Sequence, residues 1–463
     1  MKKTTFLLLI ILACNSLFAI NLDEAKNIAR ENNKYFLSQK ANLNQAKWNE
    51  YNAITNFLPK FSLDGTMVRL DYDTYNKANQ FSASPYYIPL VDDQGNPAPF
   101  PLPLSAMSGS IYKTTYTSQL TIQQPIFNGG KIFIGHQIAK LAKDQALLNL
   151  KSGKNDLDYQ VAETYLNLLK LSDVKKISEK ALASSKAHLK MVTDKYEQGI
   201  VKKSDVLQWK VKVENDKIAL EEVNNSIEIL KTLWKDLLGL KNSDNLPMPD
   251  EIDFMQHENE IQKYAEIKEE EMDKKVDNIL TQAERTNPDI KSLEIVKKIS
   301  KKGYLIAKGN FLPSINLQFQ KQFESDDKLD FDGEDSWNLV AVASFPVFQS
   351  GANLTNLKRS KYEYLKTKLQ MDDAKDKILM GTKNSFYNLV TKAKKVNSAK
   401  VAFENAKENH KILNDLYEQG MVTNTELLDA EIILFGGEMN LTSAYYDYIL
   451  AKYNLDKFVG EQK

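Results

Sequence analysis

The tetrapeptide Tyr196-Glu197-Gln198-Gly199 recurs unchanged as Tyr417-Glu418-Gln419-Gly420, 221 positions further along the chain. A second pair of segments keeps the same spacing: residues 124–130 (Gln-Pro-Ile-Phe-Asn-Gly-Gly) align with residues 345–351 (Phe-Pro-Val-Phe-Gln-Ser-Gly). Leu238-Gly239 and Val459-Gly460 are related in the same way. Agreement at three places without a gap indicates an internal duplication, which decides the fold.

Upstream of these segments the spacing between matching residues changes. Phe57-Leu58-Pro59 matches Phe311-Leu312-Pro313, and Asn33 matches Asn287, at a distance of 254 positions. The first repeat therefore contains an insertion of 33 residues. We place it in the Tyr-, Pro- and Ser-rich segment at about 73–110 and expect a long loop there.

Proline placement defines the elements of each repeat. No proline occurs in residues 126–246 or 347–463, so both blocks are predicted to form long helices. Each repeat is predicted to contain an initial helix (about 22–57 and 276–310), two strands, a very long helix (about 131–195 and 352–416) and a return helix (about 203–238 and 424–459). The domain boundaries predicted from this pattern are a first repeat at 20–240, an inter-repeat linker at 241–275 and a second repeat at 276–463.

The N-terminus has the pattern of an export signal. Lys2 and Lys3 precede an apolar run at 6–13, and cleavage after Ala19 would produce the mature chain. Residues 1–19 are therefore predicted to be a signal peptide. The stretch Ile11-Leu12-Ala13-Cys14 offers an alternative, in which Cys14 is acylated and becomes the mature N-terminus.

The predicted strands alternate between apolar and polar residues. Ile315, Leu317 and Phe319 oppose Asn316, Gln318 and Gln320, and the strand at 112–127 alternates in a similar way. Strands of about ten residues with this alternation are typical of a barrel wall that faces lipid outside and water inside. A soluble antiparallel sheet packed on helices would show the same pattern and stays open as an alternative.

Four strands cannot close a membrane barrel, because the smallest such barrel has eight. The barrel must therefore be shared between copies of the chain. The predicted fold class is mainly α with a small β part. Long antiparallel helical hairpins would form a tunnel, and four β-strands per chain would contribute to a transmembrane barrel.

Composition excludes several other classes of protein. Sixty-one basic and 61 acidic residues give no net charge, so a nucleic-acid partner is not expected. One cysteine excludes a disulfide framework, and four scattered histidines argue against a zinc or iron site. We expect no catalytic residue, no cofactor and no metal, because none of the common nucleotide, hydrolase or zinc motifs occurs. The acidic segment 326–335 is interpreted as a solvated loop, since Lys328 occupies the first ligand position of a calcium-loop frame.

The order of these elements, present twice, resembles the outer membrane efflux protein (TolC) family. The most specific markers are Gly199-x5-Asp205 and Gly420-x5-Glu426, each followed by aliphatic residues. The resemblance implies a homotrimer with twelve strands in outer-membrane lipid above a helical tunnel in the periplasm. It also implies a passive exit duct that works with a periplasmic adaptor (membrane fusion) protein and an inner-membrane pump, in efflux or type I secretion.

The resemblance also assigns roles at the two helical tips. Glu426 and Asp429 match the family's acidic ring at the periplasmic entrance, although stabilisation of the helix start is an alternative role for Asp205 and Glu426. Asp205 and Tyr417 match residues that link the closed tips, whereas Val422 replaces the arginine expected there. The adaptor-docking tips are expected at Tyr196, Gly199, Val201, Gly420 and Val422.

Two other functions stay open from the sequence. An exported coiled-coil structural or surface protein would explain the helices and the signal but not the strands. An exported enzyme would need a nucleophile or metal site that the sequence does not offer.

Overall fold

The computed structural model describes residues 19–80, 86–88, 90, 92, 97, 100–102, 112–241, 245–332 and 334–460. Residues 1–18, which hold most of the predicted signal peptide and Cys14, lie outside this set, as do much of the predicted loop at 73–110 and Gly333 of the acidic loop. The helices are α1 (Leu22–Asn32), α2 (Lys34–Thr55), α3 (Tyr72–Gln80), α4 (Lys131–Glu197), α5 (Lys203–Leu237), α6 (Met255–Ala265), α7 (Glu269–Thr286), α8 (Pro288–Gly309), α9 (Ala352–Glu418) and α10 (Asn424–Val459). The strands are β1 (Lys60–Arg69), β2 (Tyr86–Ile88), β3 (Phe100–Leu102), β4 (Thr114–Asn128), β5 (Ser314–Ser325) and β6 (Glu334–Ser344).

The chain divides into two units. One, the helical unit, comprises the described residues of Met1–Lys47, Leu141–Ile299 and Leu365–Lys463. The other, the strand unit, comprises those of Trp48–Lys140 and Ser300–Tyr364. None of the helices in the described ranges is both long and apolar enough to cross a bilayer.

A four-stranded antiparallel sheet in the order β1-β4-β5-β6 dominates the strand unit. Its paired rows alternate in character along the strands, which confirms the predicted alternation. One apolar row is Phe61, Ile122, Phe319 and Leu339, and the next row is polar, with Ser62, Thr121, Gln320 and Asn338. A bulge in β4 between Pro125 and Phe127 interrupts the pairing with β5. Ile126 is therefore the extra residue, and Phe127 pairs with Ile315.

The insertion in the first repeat contains more structure than the predicted loop. Residues 72–80 form α3, whose start is capped by Asp71: its carboxylate accepts hydrogen bonds from the backbone N–H groups of Asp73 and Thr74, both at 3.0 Å. Strands β2 and β3 pair as a short antiparallel hairpin beyond it.

The helical unit packs around one main hydrophobic core. Leu157, Val161, Tyr165 and Leu168, which follow one another at intervals of four and three residues on α4, are all 3% exposed or less. The Tyr165 hydroxyl donates to the backbone oxygens of Ile20 and Asp250, both at 3.1 Å. This tyrosine therefore attaches the segment predicted as the inter-repeat linker to the core. That segment also contains α6, and Glu269, Glu270 and Glu271 form the exposed first turn of α7.

The initial helix of each repeat is broken in two, contrary to the single helices predicted at about 22–57 and 276–310. Asn33 and Asn287 adopt extended backbone conformations at the two breaks. Each asparagine side chain begins the following helix by accepting a backbone N–H, that of Phe36 or Ile290, at 3.1 Å. Each also donates to a carbonyl near the end of a return helix, at 3.1 Å to Leu237 and 2.7 Å to Phe458. The break thus serves to join the first helix of a repeat to its last.

Candidate functional site: the two helical tips

The two tips are the turns that connect α4 to α5 and α9 to α10. Gly199 and Gly420 have φ angles of 75° and 73°, so both adopt the left-handed backbone geometry that glycine tolerates best. At the first tip the backbone N–H of Ile200 bonds to the oxygen of Lys195, and at the second that of Met421 bonds to Leu416, both at 2.9 Å. Both turns are Schellman motifs that end a 67-residue helix.

Both return helices begin with an acidic residue in the first turn. Glu426 accepts the backbone N–H of Thr423 at 2.7 Å, and the Thr423 hydroxyl oxygen accepts the N–H of Glu426 at 3.3 Å. This reciprocal pair is a capping box, and the hydrogen bonds from the Thr423 backbone and hydroxyl lower the pKa of Glu426. Asp205 occupies the equivalent position in the first repeat and accepts the N–H of Lys202 at 3.3 Å.

Glu426 and Asp429 lie on the exposed face of α10, while Leu427 and Ala430 face inward. The structure therefore brings the two predicted entrance carboxylates together on one solvent-facing turn. A capping role for Glu426 is compatible with this exposure, because only one of its oxygens is engaged with Thr423.

A small hydrophobic core, separate from the main one, holds the two tips of the chain together. We call it the tip core; its buried members are Val192, Val206, Trp209, Tyr417 and Leu427. Val201 and Val422 pack against it from the turns. Val422, found where the family resemblance predicts an arginine, thus contributes apolar packing to the tip.

Tyr417 belongs to this core rather than to the surface. Its side chain is 5% exposed, and its hydroxyl has no hydrogen-bond partner among the described residues. Burial raises the pKa of Tyr417, and the charge of Asp205 raises it further. The amino group of Lys195 lies 4.3 Å from the centre of the ring. Tyr196, the equivalent residue of the first repeat, is 42% exposed. The equivalent tyrosines are therefore buried at the second tip and exposed to solvent at the first.

A buried hydrogen bond across the repeats went unnoticed in the sequence. The indole N–H of Trp209, on α5, donates to the side-chain oxygen of Asn424 on α10 at 2.6 Å. The amide of Asn424 in turn donates to Gln208 at 2.7 Å. Trp209 lies between Val206 and Val213 on one helical face, and this spacing is the signal that could have predicted its burial.

Further along the same helices, two of the four histidines meet, which the scattered spacing had argued against. His188 on α4 and His410 on α9 are 222 residues apart in sequence but approach each other and Glu431 on α10. The three side chains have ligand atoms within 4.8 Å of one another. Sequence spacing could not show this, because stacked antiparallel hairpins bring the three residues to one level.

Comparisons with known proteins agree with this architecture. The family model described as outer membrane efflux protein matches residues 26–232 and 279–461, one block in each repeat. The chain is 20% identical over 343 residues to the outer membrane protein TolC of Escherichia coli; the match covers 67% of this chain and 64% of that protein. It is 21% identical to the alkaline protease secretion protein AprF of Pseudomonas aeruginosa, with 75% of this chain and 70% of that protein covered.

Solved structures share the fold at low sequence identity. CusC superposes with a TM-score of 0.75 at 15% identity, covering 96% of this chain and 94% of that one. VceC of Vibrio cholerae gives a TM-score of 0.74 at 15% identity, covering 95% and 96%. With both repeats matched by the family model, the chain belongs to the outer membrane efflux protein family.

Proposed function

We propose that three copies of this chain form an outer-membrane exit duct with a large periplasmic extension. The observation that carries the proposal is the open sheet of the strand unit. Both edge strands, β1 and β6, are exposed along their whole length, and each has one side that pairs with no other strand in the described part of the chain. Unpaired strand edges are not tolerated in a bilayer, so the sheet must continue into another chain.

The strand directions allow this continuation. Successive strands in the order β1-β4-β5-β6 are antiparallel, so β6 runs opposite to β1. The β6 strand of one copy can therefore pair with β1 of the next without interrupting the antiparallel pattern. Three copies give twelve strands, an even number large enough to leave a water-filled interior. The apolar rows would face lipid and the polar rows the channel.

The long helices carry a second sign of association between copies. Five exposed apolar residues of α5 fall within about 80° of arc at 100° per residue: Leu207, Val211, Ile218, Ile229 and Leu233. Helix α9 has a longer stripe within a similar arc of about 80°: Leu354, Tyr362, Leu365, Leu369, Met380, Tyr387, Val401 and Ile412. Apolar residues aligned along one exposed helix face favour packing against neighbouring helices, as a tunnel of several chains requires.

The tips have the surface expected of a docking site for a periplasmic adaptor, which would connect the duct to an inner-membrane pump. Ile200 and Met421 are 65% and 68% exposed, and Tyr196 is 42% exposed beside them. These apolar side chains project from turns that Gly199 and Gly420 keep compact. Glu426 and Asp429 of three chains would form the acidic entrance ring, while Asp205 and Tyr417 contribute to closure of the tips. In this role the chain is a passive, non-enzymatic conduit for drugs, metals, peptides or proteins.

Cysteine cross-linking tests the shared barrel. Ser62 on β1 and Asn338 on β6 belong to the same polar row, so we pair Ser62→Cys with a cysteine at Ser336, Asn338 or Val340 to allow for stagger between copies. Oxidation of intact outer membranes should produce covalent trimers for at least one pair. Thr121→Cys with Gln320→Cys is the matched control, because these partners lie on adjacent strands of one chain and should cross-link only within it. Failure of every β1–β6 pair, with the control pair oxidised, would contradict the shared barrel.

A further inference from the structure

The cluster of His188, His410 and Glu431 lies inside the helical unit and takes no part in the duct described above. His188 is 8% exposed and Glu431 is fully buried. The Nε2 atom of His188 lies 3.6 Å from a carboxylate oxygen of Glu431. His410 completes the group, with all three ligand atoms within 4.8 Å of one another.

The polar atoms of this cluster are left without partners. His188 Nδ1, His410 Nε2 and both carboxylate oxygens of Glu431 make no hydrogen bond of good geometry among the described residues, although the Ser184 hydroxyl lies close to Glu431. A buried carboxylate without partners carries a large desolvation cost, so polar groups in this state need an explanation. Two imidazoles and a carboxylate converging on one point are the ligand set of three-ligand zinc sites and related transition-metal sites.

The three residues lie at one level of the helical bundle. His188 precedes the end of α4 at Glu197 by nine residues, and His410 precedes the end of α9 at Glu418 by eight. Glu431 follows the start of α10 at Asn424 by seven residues. At 1.5 Å per residue each lies about 10–14 Å inside its tip, so the convergence follows from the antiparallel packing of equal hairpins.

We propose that His188, His410 and Glu431 bind one divalent first-row transition-metal ion, with Zn²⁺ as the best match. Zinc would take the two imidazole nitrogens and one carboxylate oxygen, leaving the fourth tetrahedral position to water. Ligand atoms around zinc are roughly 3.4 Å apart, whereas those of the cluster lie within 4.8 Å of one another, so no pair has to approach by more than about 1.4 Å.

Neighbouring residues support such a site. The ring of His188 stacks on Trp209 of the tip core, with centroids 4.8 Å apart and planes at 23°, which fixes its orientation. The charges of Lys212 and Asp216, both on α5, lie close enough to act on Glu431. Lys212 and Asp216 form an ion pair on α5, and one oxygen of Asp216 is buried without a partner among the described residues. This oxygen adds negative charge near the site.

The site also has an entry path. His410 lines a surface groove, so one ligand of the cluster can be reached from solvent. The groove is lined by both acidic side chains (Glu404, Glu408 and Asp415) and basic ones (Lys407 and Lys411). A bound ion would connect α4 of the first repeat to α9 and α10 of the second, and so would hold the two hairpins of one chain together beneath the tips.

The test is metal binding by the untagged full chain in detergent, stripped with a chelator and titrated with Zn²⁺. We expect one Zn²⁺ per chain, and Co²⁺ at the same stoichiometry with the visible absorption of a four- or five-coordinate ion. Glu431→Gln and His410→Gln should each weaken Zn²⁺ binding at least about 100-fold, because each removes a direct ligand. His257→Gln, a histidine of α6 outside the cluster, is the matched control and should bind as the unaltered chain does.

Glu431→Gln keeps the shape of the side chain and removes a buried charge, so this variant should fold. Zn²⁺ should raise the melting temperature of the unaltered chain and leave that of Glu431→Gln unchanged. Absence of stoichiometric binding would show that the cluster is a metal-free polar network and overturn the proposal. Equal binding by the unaltered chain and both ligand variants would also overturn it.

Discussion

The hydrogen bond between Trp209 and Asn424 is expected to control the local stability of the tip. Among the described residues, Asn424 is the only hydrogen-bond acceptor for the indole N–H of Trp209, whose side chain is fully buried. Asn424→Ala removes this acceptor. Stranding such a donor costs about 1–3 kcal/mol. The second contact of Asn424, with Gln208, contributes less, because Gln208 is exposed and water can replace the lost partner.

This cost should appear locally, because the tip core is separate from the main core of the helical unit. A loss of 1–3 kcal/mol in local opening corresponds to amide hydrogen exchange about 5- to 150-fold faster in the tip segments. Hydrogen-exchange mass spectrometry should detect this in peptides around Val192, Trp209 and Leu427, with unchanged exchange around Tyr165.

Two controls define the result. Gln208→Ala loses only the exposed contact and should change tip exchange by about twofold or less, since such surface changes contribute within about 0.5 kcal/mol. In a Trp209→Phe background, which has no indole N–H, Asn424→Ala should have a smaller effect than in the unaltered chain. Equal effects of Asn424→Ala and Gln208→Ala, or an unchanged effect in the Phe background, would refute this reasoning.

Three further predictions follow from the tips and the core. Replacing Gly199 or Gly420 by Val places a β-branched residue at a φ near +75°, which distorts the tip turn. Efflux should be abolished because the docking tip is altered, while trimers remain in the membrane. Normal export by both variants would contradict the docking role. In planar bilayers, the double variant Glu426→Gln, Asp429→Asn should lose its preference for cations and should no longer be blocked by trivalent metal ions. The melting temperature of the trimer should stay unchanged, because Gln still fills the capping box. Altered melting with unaltered selectivity would assign these residues to capping alone. Burial tends to raise the pKa of Asp447, but its two lysine partners outweigh burial and lower it. Asp447→Asn should therefore have a lower melting temperature than the unaltered chain at pH 7, and this difference should disappear as the pH falls below about 4, through the folded pKa. A difference that does not change with pH would exclude this ion pair as its source.

Much of the fold could be predicted because its signals are local. Prolines, glycine turns and alternating strands punctuate the chain at fixed distances, and the long helices end within two residues of the predicted limits at Glu197 and Glu418. The breaks at Asn33 and Asn287 were missed, although their equivalence was visible in the repeat. Their function depends on carbonyls of Leu237 and Phe458 about 200 residues away, which sequence spacing does not reveal.

The candidate site was predicted less completely for the same reason. The tip glycines and the capping box follow from residues a few positions apart. The Trp209–Asn424 bond and the cluster of His188, His410 and Glu431 join different repeats, and these residues have no equivalents at the matching positions of the other repeat. Duplication therefore predicts the helices of both hairpins, but not the contacts by which one hairpin differs from the other.

The number of chains in the intact particle tests the proposed duct most directly. In the proposed duct the open edges of β1 and β6 pair between copies, and a barrel of twelve strands corresponds to three chains. Mass photometry of the detergent-solubilised protein, corrected for bound detergent, should give the mass of three mature chains. A particle with the mass of one or two chains would contradict the trimeric duct.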